Sequence, residues 1–164
     1  MYQDVSPIIG RRIRAALIGC GRISQKHFEA IAKHKESIEL VAVCDKDPNA
    51  LAQAVERTGA KGYPCLSELL QESDADVVIL CTPSGLHSSE AIAAAKAGKH
   101  VITEKPMATR WRDAKAMVDA CDEAGVKLFV VKQNRRNATL QLLKKAVEQK
   151  RFGRIFMVNL NVFW

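Results

Sequence analysis

Short uninterrupted runs of Val, Ile, Leu and Ala recur along this 164-residue chain, and between them the apolar spacing turns helical. The clearest run is Asp76-Val77-Val78-Ile79-Leu80; the others are Ile13–Ile18, Leu40-Val41-Ala42-Val43-Cys44, His100–Thr103 and residues 127–131. A strand that is apolar at every position is covered on both faces, whereas a half-exposed strand alternates. Strand–helix repeats with short connections close through right-handed crossovers into a parallel sheet. The chain is therefore expected to form an α/β fold, a doubly wound parallel sheet with ligands at the carboxyl ends of its strands. The expected helices cover residues 24–33, 49–58, 66–71, 88–97, 109–124 and 137–150. Gly59, Gly98 and Gly125 stop three of them, and Thr109 is the expected N-cap of the fifth. A weak short element is expected around Gly62-Tyr63.

The run Ile13–Ile18 leads directly into Gly19-Cys20-Gly21-Arg22-Ile23-Ser24. A glycine loop between a strand and a helix is the context of a Rossmann dinucleotide site. Gly19 permits the tight turn, and Gly21 lets backbone approach a pyrophosphate. The N–H groups of Arg22 and Ile23 then face the phosphate oxygens at the helix N-terminus. Ser24 stands at the third glycine position, a small residue but a departure from the pattern. Asp45 closes the second strand, where a carboxylate accepts from the adenosine ribose hydroxyls and repels a 2′-phosphate. NAD is therefore the expected cofactor, in preference to NADP. Thr82, Pro83 and Ser84 end the fourth strand, and with His87 they are expected to line the cofactor.

Glu104-Lys105-Pro106 ends the short strand at His100–Thr103. A charged pair there is costly unless it is paired or functional. Lys105 is the expected catalytic residue: it would hydrogen-bond the hydroxyl being oxidised, with its pKa lowered by burial and by the nearby nicotinamide cation. Lys132-Gln133-Asn134-Arg135-Arg136 follows the sixth strand. Amides and guanidinium groups suit sugar hydroxyls and a diphosphate or carboxylate. Gln133 is expected on the cofactor, and Asn134 and Arg135 on the substrate.

Composition removes other classes. The net charge of +7 raises nucleic-acid binding, but the basic residues are spread over several helices without aromatic interleaving, so no specific nucleic acid is expected. The five cysteines show no metal-ligand spacing and read as buried, reduced thiols, with no metal site. No apolar run approaches a membrane span, and residues 1–12 lack the apolar core of a leader. A cytoplasmic location is expected. Residues 1–12 read as an N-terminal tail and residues 13–153 as the dinucleotide-binding domain. Residues 155–164 alternate, with Phe156, Val158, Leu160, Val162 and Trp164 on one side and Asn159 and Asn161 on the other. They read, from residue 154, as the first strand of a truncated second α/β domain.

Gly19-Cys20-Gly21-Arg22-Ile23, Thr82-Pro83 with His87, residues 97–101, Glu104-Lys105-Pro106 and Asn134-Arg135 together resemble the Gfo/Idh/MocA family of oxidoreductases. The resemblance implies an N-terminal Rossmann domain, a C-terminal domain with a large open sheet, Lys105 as the active-site lysine and Glu104 on the cofactor. It also implies that a full-length protein assembles as a homo-oligomer through the second domain, and that the aspartate and histidine usual in that active site lie beyond residue 164. Residues 131–137 and 153–159 look like the bacterial UDP-N-acetyl-2-amino-2-deoxy-D-glucuronate dehydrogenases of that family. This implies a nucleotide-sugar substrate oxidised at its C3 hydroxyl in lipopolysaccharide or O-antigen sugar synthesis. Alternatives are another sugar or polyol dehydrogenase of the family and a non-catalytic NAD-binding sensor. Without the second domain the chain is expected to keep the cofactor site and to show little turnover.

Overall fold

A computed structural model describes residues 7–161. The chain divides into two compact units, Met1–Val131 and Lys132–Trp164.

The first unit alternates strand and helix: β1 (Ile13–Ile18), α1 (Ser24–Lys33), β2 (Ile38–Cys44), α2 (Pro48–Thr58), β3 (Lys61–Tyr63), α3 (Leu66–Glu72), β4 (Val77–Leu80), α4 (His87–Lys96), β5 (His100–Thr103), α5 (Trp111–Glu123) and β6 (Leu128–Val130). Every strand pairing is parallel, in the order β3-β2-β1-β4-β5-β6. The order reverses between β1 and β4, which opens a crevice at the carboxyl ends of the two central strands.

Adjacent residues on a strand face opposite layers, and so they feed two cores. Ala16, Ile18, Val78, Leu80 and Val101 pack with Leu69 of α3, Ala91, Ala94 and Ala95 of α4, and Met117 and Cys121 of α5. Ala15, Leu17, Val43, Val77 and Ile79 pack on the other face with Phe28 of α1 and Ala54 of α2. This two-sided burial is why the central strands lack alternation. The register row Leu17, Ile79, Ile102, Phe129 runs from the interior to the sheet edge, where Phe129 is 55% exposed.

Helix ends follow local chemistry. Asp47 accepts from the Asn49 N–H at the start of α2, with Pro48 at the first helical position, and Gly59 ends the helix at φ 70°. Thr109 is not the cap of α5: Arg110, extended at φ −133° and ψ 144°, precedes its first helical residue and makes no side-chain cap bond.

In the second unit a 3₁₀ turn over Gln133–Arg136 precedes α6 (Ala138–Glu148), whose N-cap Asn137 accepts from the Thr139 N–H. Residues 155–161 form no strand, unlike the expectation from their alternation. Alternation specifies two faces, but a strand also needs a neighbour for its ladder. Residues 1–6 of the expected tail and residues 162–164 of the expected strand, Val162 and Trp164 among them, lie outside the described residues.

Candidate active site

Four strand ends build the crevice. The Gly19 N–H donates to the Cys44 carbonyl at 2.8 Å, the Cys81 N–H to Ile18 at 2.8 Å, and the Glu104 N–H to Leu80 at 3.0 Å. The ends of β1, β2, β4 and β5 are thereby laced together where their side chains turn upward.

The two glycines of the first loop do different work. Gly19 sits at φ 88°, and a Cβ there would lie 2.7 Å from the Cys81 carbonyl carbon and 2.8 Å from the Thr82 nitrogen. Its missing side chain lets the loop pack directly on the backbone that follows β4. Gly21 has nothing within 4 Å of where a Cβ would stand. The open space lies above the first turn of α1, with the exposed Arg22 and Ile23 beside it. A dinucleotide pyrophosphate fits there: backbone can approach it, and the helix N-terminus favours its charge. Ser24 replaces the third glycine without loosening the helix. It is fully buried, and its Oγ donates to the Gly21 carbonyl at 2.6 Å.

Asp45 reaches back to this loop. Its Oδ2 accepts from the Cys20 N–H at 2.7 Å and its Oδ1 from the Asp47 N–H at 2.9 Å. A carboxylate offers about four lone-pair sites, so two are left for ribose hydroxyls.

Glu104 is 7% exposed and is held from both sides. His27 Nε2, on α1, lies 2.8 Å from its Oε1, and the Lys105 N–H donates to its Oε2 at 3.2 Å. His27 is a site residue that sequence reading missed. Its partner is 77 residues away, and on a helix beside Phe28 it looks like an ordinary boundary residue. Lys105 follows a buried glutamate but is itself exposed, and its peptide bond to Pro106 is cis. The expected burial of this lysine is not found: the chain turns outward at the strand end, and no described element of the first unit covers it.

The expectation that His87 contacts the cofactor also changes. The side chain is 1% exposed, with Nδ1 2.9 Å from the Pro106 carbonyl and Nε2 2.9 Å from the Thr82 carbonyl. Both nitrogens are engaged inside the protein, and neither is turned toward the crevice. Thr82 Oγ1 donates to the Glu90 carboxylate of α4. Burial pushes the Glu90 carboxyl up, against the Thr82 hydrogen bond and the charge of His87. Pro83 is exposed and Ser84 half-buried in the loop that opens above.

The cysteines beneath the crevice are inert by environment. Burial pushes Cys20 up to about 11 and Cys44 up to about 12, and it raises Cys81 further. Among the described residues no cluster of three or more His, Cys, Asp or Glu could hold a metal ion.

The structure thus brings Gly19, Gly21, Arg22, Ile23, Asp45, Thr82, Pro83, Ser84, Glu104 and Lys105 to one edge of the first unit, with His87 beneath them. Gln133, Asn134 and Arg135 belong to the second unit, exposed on its 3₁₀ turn, where the Gln141 amide donates to the Arg135 carbonyl.

The sequence pattern of the Gfo/Idh/MocA oxidoreductases, with an NAD-binding Rossmann fold, matches residues 13–132. The chain belongs to the Gfo/Idh/MocA family. Among solved structures, this Gfo/Idh/MocA chain is similar to the WlbA dehydrogenase from Chromobacterium violaceum in complex with NADH and UDP-GlcNAcA. Identity is 62% with a TM-score of 0.94, over 98% of this chain and 46% of that one. The WlbA dehydrogenase from Bordetella pertussis, also in complex with NADH and UDP-GlcNAcA, is 61% identical with a TM-score of 0.89, over 92% of this chain and 43% of that one. Among curated proteins, the 4-carboxy-2-hydroxymuconate-6-semialdehyde dehydrogenase of Sphingobium sp. is 35% identical over 136 residues, 82% of this chain and 43% of that protein. The chain therefore spans less than half the length of each of these relatives.

Proposed function

We propose that this chain is the cofactor-binding part of an NAD-dependent dehydrogenase that oxidises the C3 hydroxyl of a UDP-N-acetylglucosaminuronate-type nucleotide sugar to a ketone. The reading is carried by the similarity, at 62% identity across 98% of this chain, to a WlbA dehydrogenase whose complex holds NADH and UDP-GlcNAcA. On this reading residues 13–153 form the cofactor domain, and residues 154–164 lead into a substrate domain through which the whole protein assembles. A cytoplasmic role in lipopolysaccharide sugar synthesis follows from that substrate.

The residues divide the work. Gly21 and the N–H groups of Arg22 and Ile23 hold the pyrophosphate, Asp45 the adenosine ribose, and Thr82, Pro83 and Ser84 the far side of the dinucleotide. NAD, when bound, supplies the hydride acceptor. Glu104, fixed by His27, lies against the cofactor beside the lysine. Lys105 Nζ hydrogen-bonds the C3 oxygen and helps to move its proton as the hydride leaves. Gln133 is assigned to the cofactor, and Asn134 and Arg135 to sugar hydroxyls and diphosphate, from their chemistry. A carboxylate at Asp45 favours NAD over NADP.

The test replaces Lys105 with Ala in the whole protein, with UDP-GlcNAcA as substrate and calorimetric titration of NAD and NADP in parallel. NAD binding that survives while turnover disappears supports the assignment. Unchanged turnover, or equal affinity for NADP, rejects it. The 164-residue chain alone is expected to bind NAD and turn over little. A whole protein that prefers a polyol or an aldehyde to the nucleotide sugar would place it with the other dehydrogenases of the family.

A further inference from the structure

His87 begins α4 and lies between two loops that leave the sheet side by side. The last ladder bond between them is Glu104 N–H to the Leu80 carbonyl, 3.0 Å. Past that rung the link runs through the His87 ring, 2.9 Å from the Thr82 carbonyl on one side and 2.9 Å from the Pro106 carbonyl on the other. A carbonyl oxygen accepts and cannot donate. A ring that satisfies both carbonyls therefore carries hydrogen on both nitrogens and a positive charge. A buried charge needs a partner. Glu90, one turn along the same helix and held by Thr82 Oγ1, is the carboxylate within electrostatic range of the ring. Other charged groups of these elements are already placed: Glu104 on His27, Lys105 outward, and the Asp113 carboxylate of α5 on Arg112 at 3.5 Å.

We infer that His87 is a positioning residue for Lys105. By bracing the Pro106 carbonyl against the Thr82 carbonyl, its doubly hydrogenated ring fixes where the lysine leaves the sheet relative to the loop that flanks the dinucleotide. The inference rests on the role proposed above for Lys105. It makes His87 an internal strut that touches neither cofactor nor sugar. Thr82 is gripped at both its carbonyl, by the ring, and its hydroxyl, by Glu90.

The experiment has two arms. Nitrogen-15 NMR of the wild-type chain, without NAD, is expected to show two hydrogen-bonded N–H protons on the His87 ring. In the whole protein, His87→Gln keeps a single amide donor end and His87→Ala keeps none. For variants whose unfolding midpoints show them folded, kcat is expected to fall about tenfold or more, as a displaced reacting group requires, with KM for UDP-GlcNAcA and the NAD Kd within about threefold. His87→Gln should retain more activity than His87→Ala. A single ring N–H in the wild type overturns the brace even if turnover is normal. A loss confined to KM or to NAD affinity, or kcat within twofold of wild type, overturns the positioning role. Both ring signals in a wild-type protein that neither binds NAD nor turns over overturn the functional reading, and the lysine assignment with it.

Discussion

Replacing Gly19 or Gly21 with Ala separates the part of the glycine loop that holds the fold from the part that holds the cofactor. At Gly19 the new Cβ would meet Cys81 and Thr82 backbone atoms at 2.7–2.8 Å, on a residue at φ 88°. Positive φ costs a non-glycine residue about 1–2 kcal/mol. Forcing a methyl against immovable backbone adds about 1–3 kcal/mol. Together these give about 2–5 kcal/mol, a large share of the roughly 5–15 kcal/mol that stabilises a domain. A central value of about 3 kcal/mol lowers the melting temperature by about 6–12 °C for a chain of this size. At Gly21 the Cβ meets nothing within 4 Å, so stability should stay within about 0.5 kcal/mol of wild type. The same methyl would occupy the space assigned to the pyrophosphate, and NAD affinity should fall at least about tenfold, or 1.4 kcal/mol. Urea unfolding and NAD titration of both variants decide the matter. A Gly19→Ala protein as stable as wild type would refute the close-approach argument. A Gly21→Ala protein that binds NAD normally would show that the pyrophosphate lies elsewhere.

Three further outcomes follow from other contacts. His27→Ala leaves a nearly buried Glu104 oxygen without its partner and should cost roughly 1–3 kcal/mol in urea unfolding; an unchanged midpoint would mean that the pair contributes nothing. The Arg11 guanidinium, together with the Arg14 N–H, holds the Asp76 carboxyl at about 2, below its ordinary 3.8. The depressed value means that this stability is fully present above the ordinary pKa and is lost as pH falls from there through about 2. Asp76→Asn should therefore flatten the acid side of the stability profile between those values, and a wild-type-like profile in the variant would count against the pair. Of the five thiols, the partly exposed Cys65 should react first with a disulfide reagent in the folded chain, and all five only after denaturation; rapid native labelling of Cys20 or Cys44 would contradict their burial.

The strands were legible because each is covered on both faces. Val77–Leu80 is buried at all four positions, and its sequence shows an unbroken apolar run. Short edge elements were harder to see: β3 is three residues long, and its Lys61 and Gly62 carry no strand signal. Residues 155–161 misled for the complementary reason, since alternation describes faces and is silent about a pairing partner. At the site, the glycine loop, Asp45 and Glu104-Lys105-Pro106 could be found because each sits at a predictable strand end. His27 could not, because its partner is brought in by topology, and Glu90 could not, because it reads as an ordinary first-turn helix residue although Thr82 is only eight residues away. Glu104 lies 77 residues from His27, and a single helix position gives no hint of it. His87 is legible from its spacing after Thr82-Pro83 as a residue of the cofactor loop, but its two carbonyl partners are not, because one of them, Pro106, comes from the neighbouring strand end.

The Asp45 carboxylate grips the Cys20 N–H of the glycine loop at 2.7 Å. A bond of the protein's own thus helps to fix the loop, which reduces the conformational entropy lost on holding a dinucleotide there. An Asp45 substitution would then harm binding twice, once through the ribose and once by releasing the loop into a wider ensemble. The second loss would appear even with a ligand that has a pyrophosphate and no adenosine.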